Sequence, residues 1–257
     1  MKPARRILDK VANGDLTTGV LLTDQCYPEM VEYCALAGMD YLIVDREHGP
    51  FDDQLTARLC SLGRMTDFAV MVRPIDSTYP TIRRSIDLGP CGFLLPTVQS
   101  AEELDVVRDA IYMPPRGSRR PGGHGNYWVP DFYAETWKSE VEDDFIVVPQ
   151  IETEKGLENA AEIAAHEIVT AIGIGPYDLS HSIGVNFQPD HPRFIEAVER
   201  IREAGRQAGK TMWRIGHGPT MVAEGYHFLC IGEATGLLKA ALSQAQVDTA
   251  TASGAGS

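Results

Sequence analysis

Two carboxylates stand where apolar runs end: Glu152 directly follows Ile146–Ile151, and Asp178 lies four residues past Ala171–Ile174. Two such groups on neighbouring elements can hold one divalent cation through oxygen, with water and substrate completing the shell; Mg²⁺, Mn²⁺ or Co²⁺ suits that donor set. No Cys or His with zinc-like spacing accompanies them. Carboxylates also cap helices, so spacing alone leaves both readings open. His48, within Asp45-Arg46-Glu47-His48-Gly49-Pro50, offers an imidazole that can act as a base near neutral pH, against the plainer reading of a surface residue. Arg73 follows the run Ala69–Val72, and a guanidinium there needs an anion, either a substrate or a structural partner such as Asp45.

These residues need a scaffold that brings run ends together. Short β-rich runs occur at Gly19–Thr23, Tyr41–Val44, Ala69–Val72, Gly92–Leu95, Ile146–Ile151, Ala171–Ile174, Thr211–Ile215 and Phe228–Ile231. Segments with helical spacing separate them: Pro28–Ala37, Asp53–Leu62, Thr81–Leu88, Ala101–Ile111, Lys155–Ala165 and His191–Ala208. Strand–helix alternation means parallel strands with crossover helices, and eight runs is the count of a (β/α)8 TIM barrel. In that fold the chemistry sits at the C-terminal ends of the strands, where Asp45–Pro50, Arg73, Gln150–Thr153 and Gly175–Asp178 all fall. Tyr112–Lys138 has little periodicity and reads as a long functional loop able to act as a lid. Residues 1–248 read as one barrel domain. Residues 249–257 contain only Thr, Ala, Ser and Gly and read as a disordered tail.

Composition narrows the function. The chain has 257 residues, 44% of them hydrophobic, enough for a sizeable core. A formal charge of −13 leaves no basic field for nucleic acid or an anionic membrane, so an anionic substrate needs local cations or a metal. Five cysteines, odd in number and widely spaced, suggest no disulfide framework and fit a reducing cytoplasm. Neither a signal-peptide core nor an apolar run of membrane-spanning length is seen.

In order along the chain, Asp45-x-Glu-His-Gly-Pro-Phe-Asp, Val72-Arg-Pro, Asp87-Leu-Gly, Leu95-Pro-Thr-Val, Pro114-Pro-x-Gly-x-Arg119, Gln150-Ile-Glu-Thr-Glu and Ile174-Gly-Pro-Tyr-Asp-Leu-Ser resemble the metal-dependent (class II) pyruvate aldolases of the HpcH/HpaI family, from about Thr18 to about Lys239. The resemblance implies a barrel of the phosphoenolpyruvate/pyruvate type and one divalent metal per subunit, held by Glu152 and Asp178. It implies a His48–Asp87 acid/base dyad, Arg73 beside the keto or enolate oxygen, and substrate contacts from Gln150, Gly175, Tyr177, Asp178 and Arg119. It also implies a homo-oligomer, a hexamer built as a trimer of dimers that exchange the last helix, here Glu233–Val247.

The reaction so implied is reversible cleavage of a 4-hydroxy-2-oxo acid to pyruvate and an aldehyde through a stabilised pyruvate enolate. No lysine follows an apolar run at the expected mouth, which argues against a Schiff-base aldolase. Arg119-Arg120-Pro121-Gly122-Gly123-His124 departs from the usual Arg-Gly-x-Gly, and Gly232-Glu233-Ala234-Thr235 stands where many relatives carry Ser-Asp. Those departures keep open an alternative: oxaloacetate decarboxylation, or a macrophomate-synthase-like coupling of the enolate to a non-aldehyde acceptor. A non-catalytic sensor of 2-oxo acids is the third reading, which no residue favours.

Overall fold

A computed structural model of the chain describes residues 1–120, 122–130 and 134–253. Eight strands, β1 (Thr17–Leu22), β2 (Tyr41–Asp45), β3 (Ala69–Arg73), β4 (Gly92–Leu95), β5 (Ile146–Ile151), β6 (Ala171–Ile174), β7 (Thr211–Ile215) and β8 (Phe228–Glu233), pair in sequence order, all parallel, and close into a barrel. The helices are α1 (Lys2–Asn13), α2 (Met30–Leu36), α3 (Asp53–Thr66), α4 (Tyr79–Ile86), α5 (Ala101–Ile111), α6 (Ala134–Glu140), α7 (Glu154–Glu158), α8 (Ala160–Ala165), α9 (Pro176–Ser182), α10 (Pro192–Gln207), α11 (Gly218–Ala223) and α12 (Ala234–Ala252). The (β/α)8 TIM barrel expected from the alternation is therefore the fold.

Local chemistry explains the boundaries. Asp52 caps α3 by accepting from the Leu55 amide at 2.8 Å, and α3 buries Thr56, Leu59, Cys60 and Gly63, a helical stripe turned to the barrel. Strands β2 to β6 are buried along their whole length, as strands covered by helices must be.

The barrel interior carries an aromatic cluster on its N-terminal side. Tyr41, Ile43 and Asp45 alternate on one face of β2, with Tyr41 at its first residue and Asp45 at its last. The Tyr41 hydroxyl donates to the Leu229 carbonyl at 2.7 Å and accepts from Trp213 Nε1 at 2.9 Å; its ring meets Phe228 edge-on at 5.5 Å. A Cβ on Gly19 would overlap the Tyr41 ring, so the neighbouring strand β1 makes room with a glycine. At the other end, the β1–β8 register shifts between Gly19 and Leu21, and Gly232 sits at φ 144° beside that irregularity.

Three expectations are revised. The N-terminal segment, given no element from sequence, is helix α1, because Ala4 and Ile7 are fully buried one turn apart among charged neighbours. Tyr112–Lys138 is partly ordered into a 3-10 turn over His124–Trp128 and the start of α6, while residues 121 and 131–133 of the expected lid lie outside the described residues. Helix α12 runs on through Thr249–Ala252, read above as tail, because alanine and i−4 hydroxyl contacts such as Thr249 to the Ala245 carbonyl continue it; 254–257 lie outside the described residues. Among the described residues no helix is long and apolar enough to cross a membrane.

Candidate active site

A cavity of about 670 Å³ opens at the C-terminal ends of the strands, lined by His48, Arg73, Gln150, Glu152 and Gly175–Asp178 among others. Its floor is built on one buried carboxylate. Asp45, at the end of β2, is fully buried; Arg73, at the end of β3 and its register partner, meets it bidentately, Nε to Oδ1 at 2.9 Å and Nη2 to Oδ2 at 2.6 Å. The Thr23 hydroxyl and the Glu47 and His48 amides donate to the same carboxylate at 2.9, 3.0 and 3.3 Å. Burial pushes the Asp45 carboxyl up, but these donors outweigh it, led by Arg73, and hold it below the usual range. Burial likewise opposes the Arg73 charge and Asp45 outweighs it, so the guanidinium is raised. The structural-pair reading of Arg73 is thus present in the fold, while Nη1 stays outside the bidentate contact and the residue still lines the cavity.

Glu152 follows β5 and is 3% exposed. Its Oε2 accepts from the Thr97 amide at 2.9 Å and the Thr97 hydroxyl at 3.0 Å. Thr97 adopts φ 50°, a left-handed conformation unfavourable for a β-branched residue, and it is there that both donors reach one oxygen. On the other side a Cβ at Gly175 would overlap Oε1, so only glycine lets β6 pass this carboxylate. Burial, with the Glu47 and Asp178 charges added and the Thr97 bonds opposing, pushes Glu152 up to about 7. Glu152 is not a helix cap: Thr153 caps α7, accepting from the Gly156 amide at 3.0 Å.

Asp178 lies in the first turn of α9, exposed at the rim, and α9 has no side-chain cap. Gln150, on β5, is 2% exposed, and its Oε1 is buried without a hydrogen-bond donor. Tyr177 is largely exposed at the mouth. His48 lines the cavity with its side chain 60% exposed, Nε2 lying 3.7 Å from Glu47 Oε2.

Two residues expected at this site are elsewhere in the chain. Asp87, just past α4, lines a separate cavity of about 750 Å³ beside α3, and its Oδ1 accepts from Arg119 Nη2 at 2.9 Å. Arg119 is 1% exposed and stacks over Trp137 at 4.4 Å. Among the described residues no hydrogen bond or ion pair joins His48 to Asp87. The reason is topological: α4 packs on α5 outside the barrel, and the chain after α5 returns Arg119 to it rather than to the strand ends.

Three participants escaped sequence reasoning. Glu47, next to His48, lies 3.3 Å from Arg73 Nε and adds a third carboxylate to the field around Glu152; its place in the Asp45–Pro50 string was the available signal. Burial and the Asp45 and Asp178 charges raise it, against Arg73 and His48. Thr97 stood in the Leu95-Pro-Thr-Val motif after β4 with no role attached to it. Asp45 showed itself as a possible partner of Arg73, not as the organiser of the whole β2–α3 turn.

Comparison with known proteins gives the family and the fold. The sequence profile of the HpcH/HpaI aldolase/citrate lyase family matches residues 20–240. A 2-keto-3-deoxy-L-rhamnonate aldolase of Escherichia coli O9:H4 (strain HS) is 31% identical over 241 residues, 92% of this chain and 90% of that protein. The crystal structure of an HpcH/HpaI aldolase from Desulfitobacterium hafniense DCB-2 superposes with a TM-score of 0.84 at 29% identity, covering 93% of this chain and 95% of that one. Macrophomate synthase shares the fold, with a TM-score of 0.77 at 20% identity over 97% of this chain and 89% of its own. The profile match starts in β1 and ends in α12, passing through every strand end that supplies the cavity, and the chain belongs to the HpcH/HpaI aldolase/citrate lyase family.

Proposed function

We propose that this enzyme is a divalent-metal-dependent aldolase that reversibly cleaves 4-hydroxy-2-oxo acids to pyruvate and an aldehyde. The observation that carries the reading is Glu152: a buried carboxylate with one oxygen fixed by Thr97, the other left free against Gly175, and two further carboxylates, Asp178 and Glu47, in its field. Such a group of anions in one cavity calls for a cation. Glu152 and Asp178 would hold it. Among the described residues no set of three or more His, Cys, Asp or Glu side chains forms a metal cluster, which leaves the remaining positions to oxygen from water and substrate. An all-oxygen set fits Mg²⁺, Mn²⁺ or Co²⁺. When bound, the cation supplies Lewis-acid polarisation of the 2-oxo group.

The chain's own residues do the rest. Arg73, held by Asp45 through Nε and Nη2 and lining the cavity, would use Nη1 to stabilise the developing enolate charge. Gln150 and the backbone of Gly175, Tyr177 and Asp178 border the position of the 2-oxo acid. His48 removes the proton of the 4-hydroxyl; the C3–C4 bond breaks, its electron pair forms the enolate, C4 leaves as the aldehyde carbon, and a proton delivered to C3 completes pyruvate. A His48–Asp87 pair requires a second subunit, since one chain keeps these residues at separate cavities. A homo-oligomer with exchanged last helices fits the exposed Leu237, Leu238, Leu242 and Val247 on α12. Five free cysteines fit a cytoplasmic location.

Oxaloacetate decarboxylation, or enolate coupling to a non-aldehyde acceptor, stands as the second reading: burial against Trp137 withdraws Arg119 as an acceptor contact, while Gly232 and Glu233, the other departure, line the cavity. The test is pyruvate release from 4-hydroxy-2-oxo acids by the Glu152→Ala/Asp178→Ala variant. Undiminished release in metal-free buffer refutes the reading. Deuterium exchange of the pyruvate methyl group separates an enzyme from a sensor.

A further inference from the structure

The wall of the cavity beyond Asp178 differs from the wall around Arg73. Tyr177 and Phe187 are 68% and 62% exposed there, their rings meeting edge-on at 5.3 Å, with Pro189 and Phe194 completing an apolar side. Two large exposed aromatics side by side are unfavourable in water unless something covers them. Their placement is also held against local preference. Gly184, Asn186 and Phe187 take φ of 76°, 28° and 58°, left-handed values that a bulky residue such as phenylalanine avoids. Ser180, 2% exposed, secures the arrangement: its hydroxyl donates to the Tyr177 carbonyl at 2.7 Å and accepts from the Phe187 amide at 3.0 Å. His181 Nδ1 and Asn186 Oδ1 lie 2.9 Å apart and brace the same turn. Strain maintained beside a cavity indicates a use for the group so placed.

We propose that Tyr177 and Phe187 form an aromatic platform that selects an electrophile bearing a flat apolar, aryl-type substituent. The inference rests on the aldolase reading and names its second substrate class. A polyhydroxylated chain lying on this wall would lose water and regain few hydrogen bonds there, because the side chains of Phe187, Pro189 and Phe194 offer no donor or acceptor and the Ser180 hydroxyl is already engaged as both. An aryl group would cover the exposed rings and keep favourable edge or offset contacts.

The experiment compares benzaldehyde with glyceraldehyde as partners of pyruvate, with Mn²⁺ present, in the carbon–carbon bond-forming direction. Wild type is expected to show the higher kcat/KM with benzaldehyde. Phe187→Ala should lower that value about tenfold, mainly through KM, and change the glyceraldehyde value by less than about twofold. Phe187→Tyr should restore it, and deuterium exchange into pyruvate alone should be unchanged in both variants. Tyr177→Ser, on the opposite side of the pair, should reproduce the loss. A wild-type preference for glyceraldehyde, an equal loss with both aldehydes, or a change in sedimenting species in Phe187→Ala would overturn the platform, the last assigning the rings to a subunit contact. Intact exchange with no discrimination removes the platform alone; absence of exchange in wild type removes the aldolase reading and the platform with it.

Discussion

The two ends of this barrel are made from the same strands and solve opposite problems. On the N-terminal side Tyr41 and Phe228 fill the interior; the Tyr41 hydroxyl donates to the Leu229 carbonyl and accepts from the indole of Trp213, whose ring reaches up to the cavity lining. On the C-terminal side Asp45, Arg73, Gln150 and Glu152 are as deeply buried, yet Gln150 Oε1 lacks a donor and Glu152 is pushed up to about 7. One end satisfies its polar groups; the other holds them ready for a ligand. Tyr41 and Asp45 are only four positions apart along β2, so a single strand carries stability at one end and chemistry at the other.

That division is open to direct attack. The largest expected effect is on activity: Glu152→Ala/Asp178→Ala should lower pyruvate release on the order of 10³-fold or more while leaving the melting temperature of the metal-free protein near wild type or above it. A large loss of metal-free stability would erase the contrast between the ends. Phe228→Ala should do the reverse, costing about 3–5 kcal/mol in denaturant unfolding, with kcat of the folded protein little changed.

Asp45→Asn probes the junction, since Asp45 is structural and yet carries Arg73. It should destabilise by several kcal/mol, roughly 3–5, because Arg73 loses a buried counter-charge. The Asp45 pKa is depressed in the fold, so its contribution is complete above the ordinary carboxylate range and is lost as pH falls through the folded value. Wild type should therefore lose stability on acidification below about pH 4 more steeply than Asp45→Asn, as thermal melts across pH would show. The smallest effect is expected from Thr97→Ala, which removes one of two donors to Glu152 Oε2. It should weaken Mn²⁺ binding about tenfold in titration calorimetry and leave stability within about 1 kcal/mol.

Much of this was legible along the chain. β4, β5, β6 and β7 fall where the runs placed them: β4 and β6 are apolar throughout, as strands covered on both faces must be, and the runs of β5 and β7 stay legible although Gln150 and Arg214 interrupt them. Glu152 and Asp178 were visible for the same reason: a charge that ends an apolar run in a barrel sits at its rim. Helix α1 was not legible, since its buried face is only Pro3, Ala4 and Ile7 amid charge. The 3-10 turn and α6 were hidden because their order comes from packing rather than from period: Tyr127 and Trp128 against Arg64 of α3, and Trp137 against Arg119.

By itself the sequence determined the strand count, the parallel topology and which carboxylates reach the strand ends, because periodicity and the apolar-to-charged transition are properties of neighbours in the chain. The tertiary structure alone decided direction and partnership. It turned Arg119 inward onto Asp87 and Trp137, set Thr97 and Gly175 around Glu152, drew Glu47 beside Arg73, and stood Tyr177 against Phe187. Each of those contacts joins residues separated by ten or more positions and depends on which way a side chain leaves its element, and nothing in local spacing encodes that.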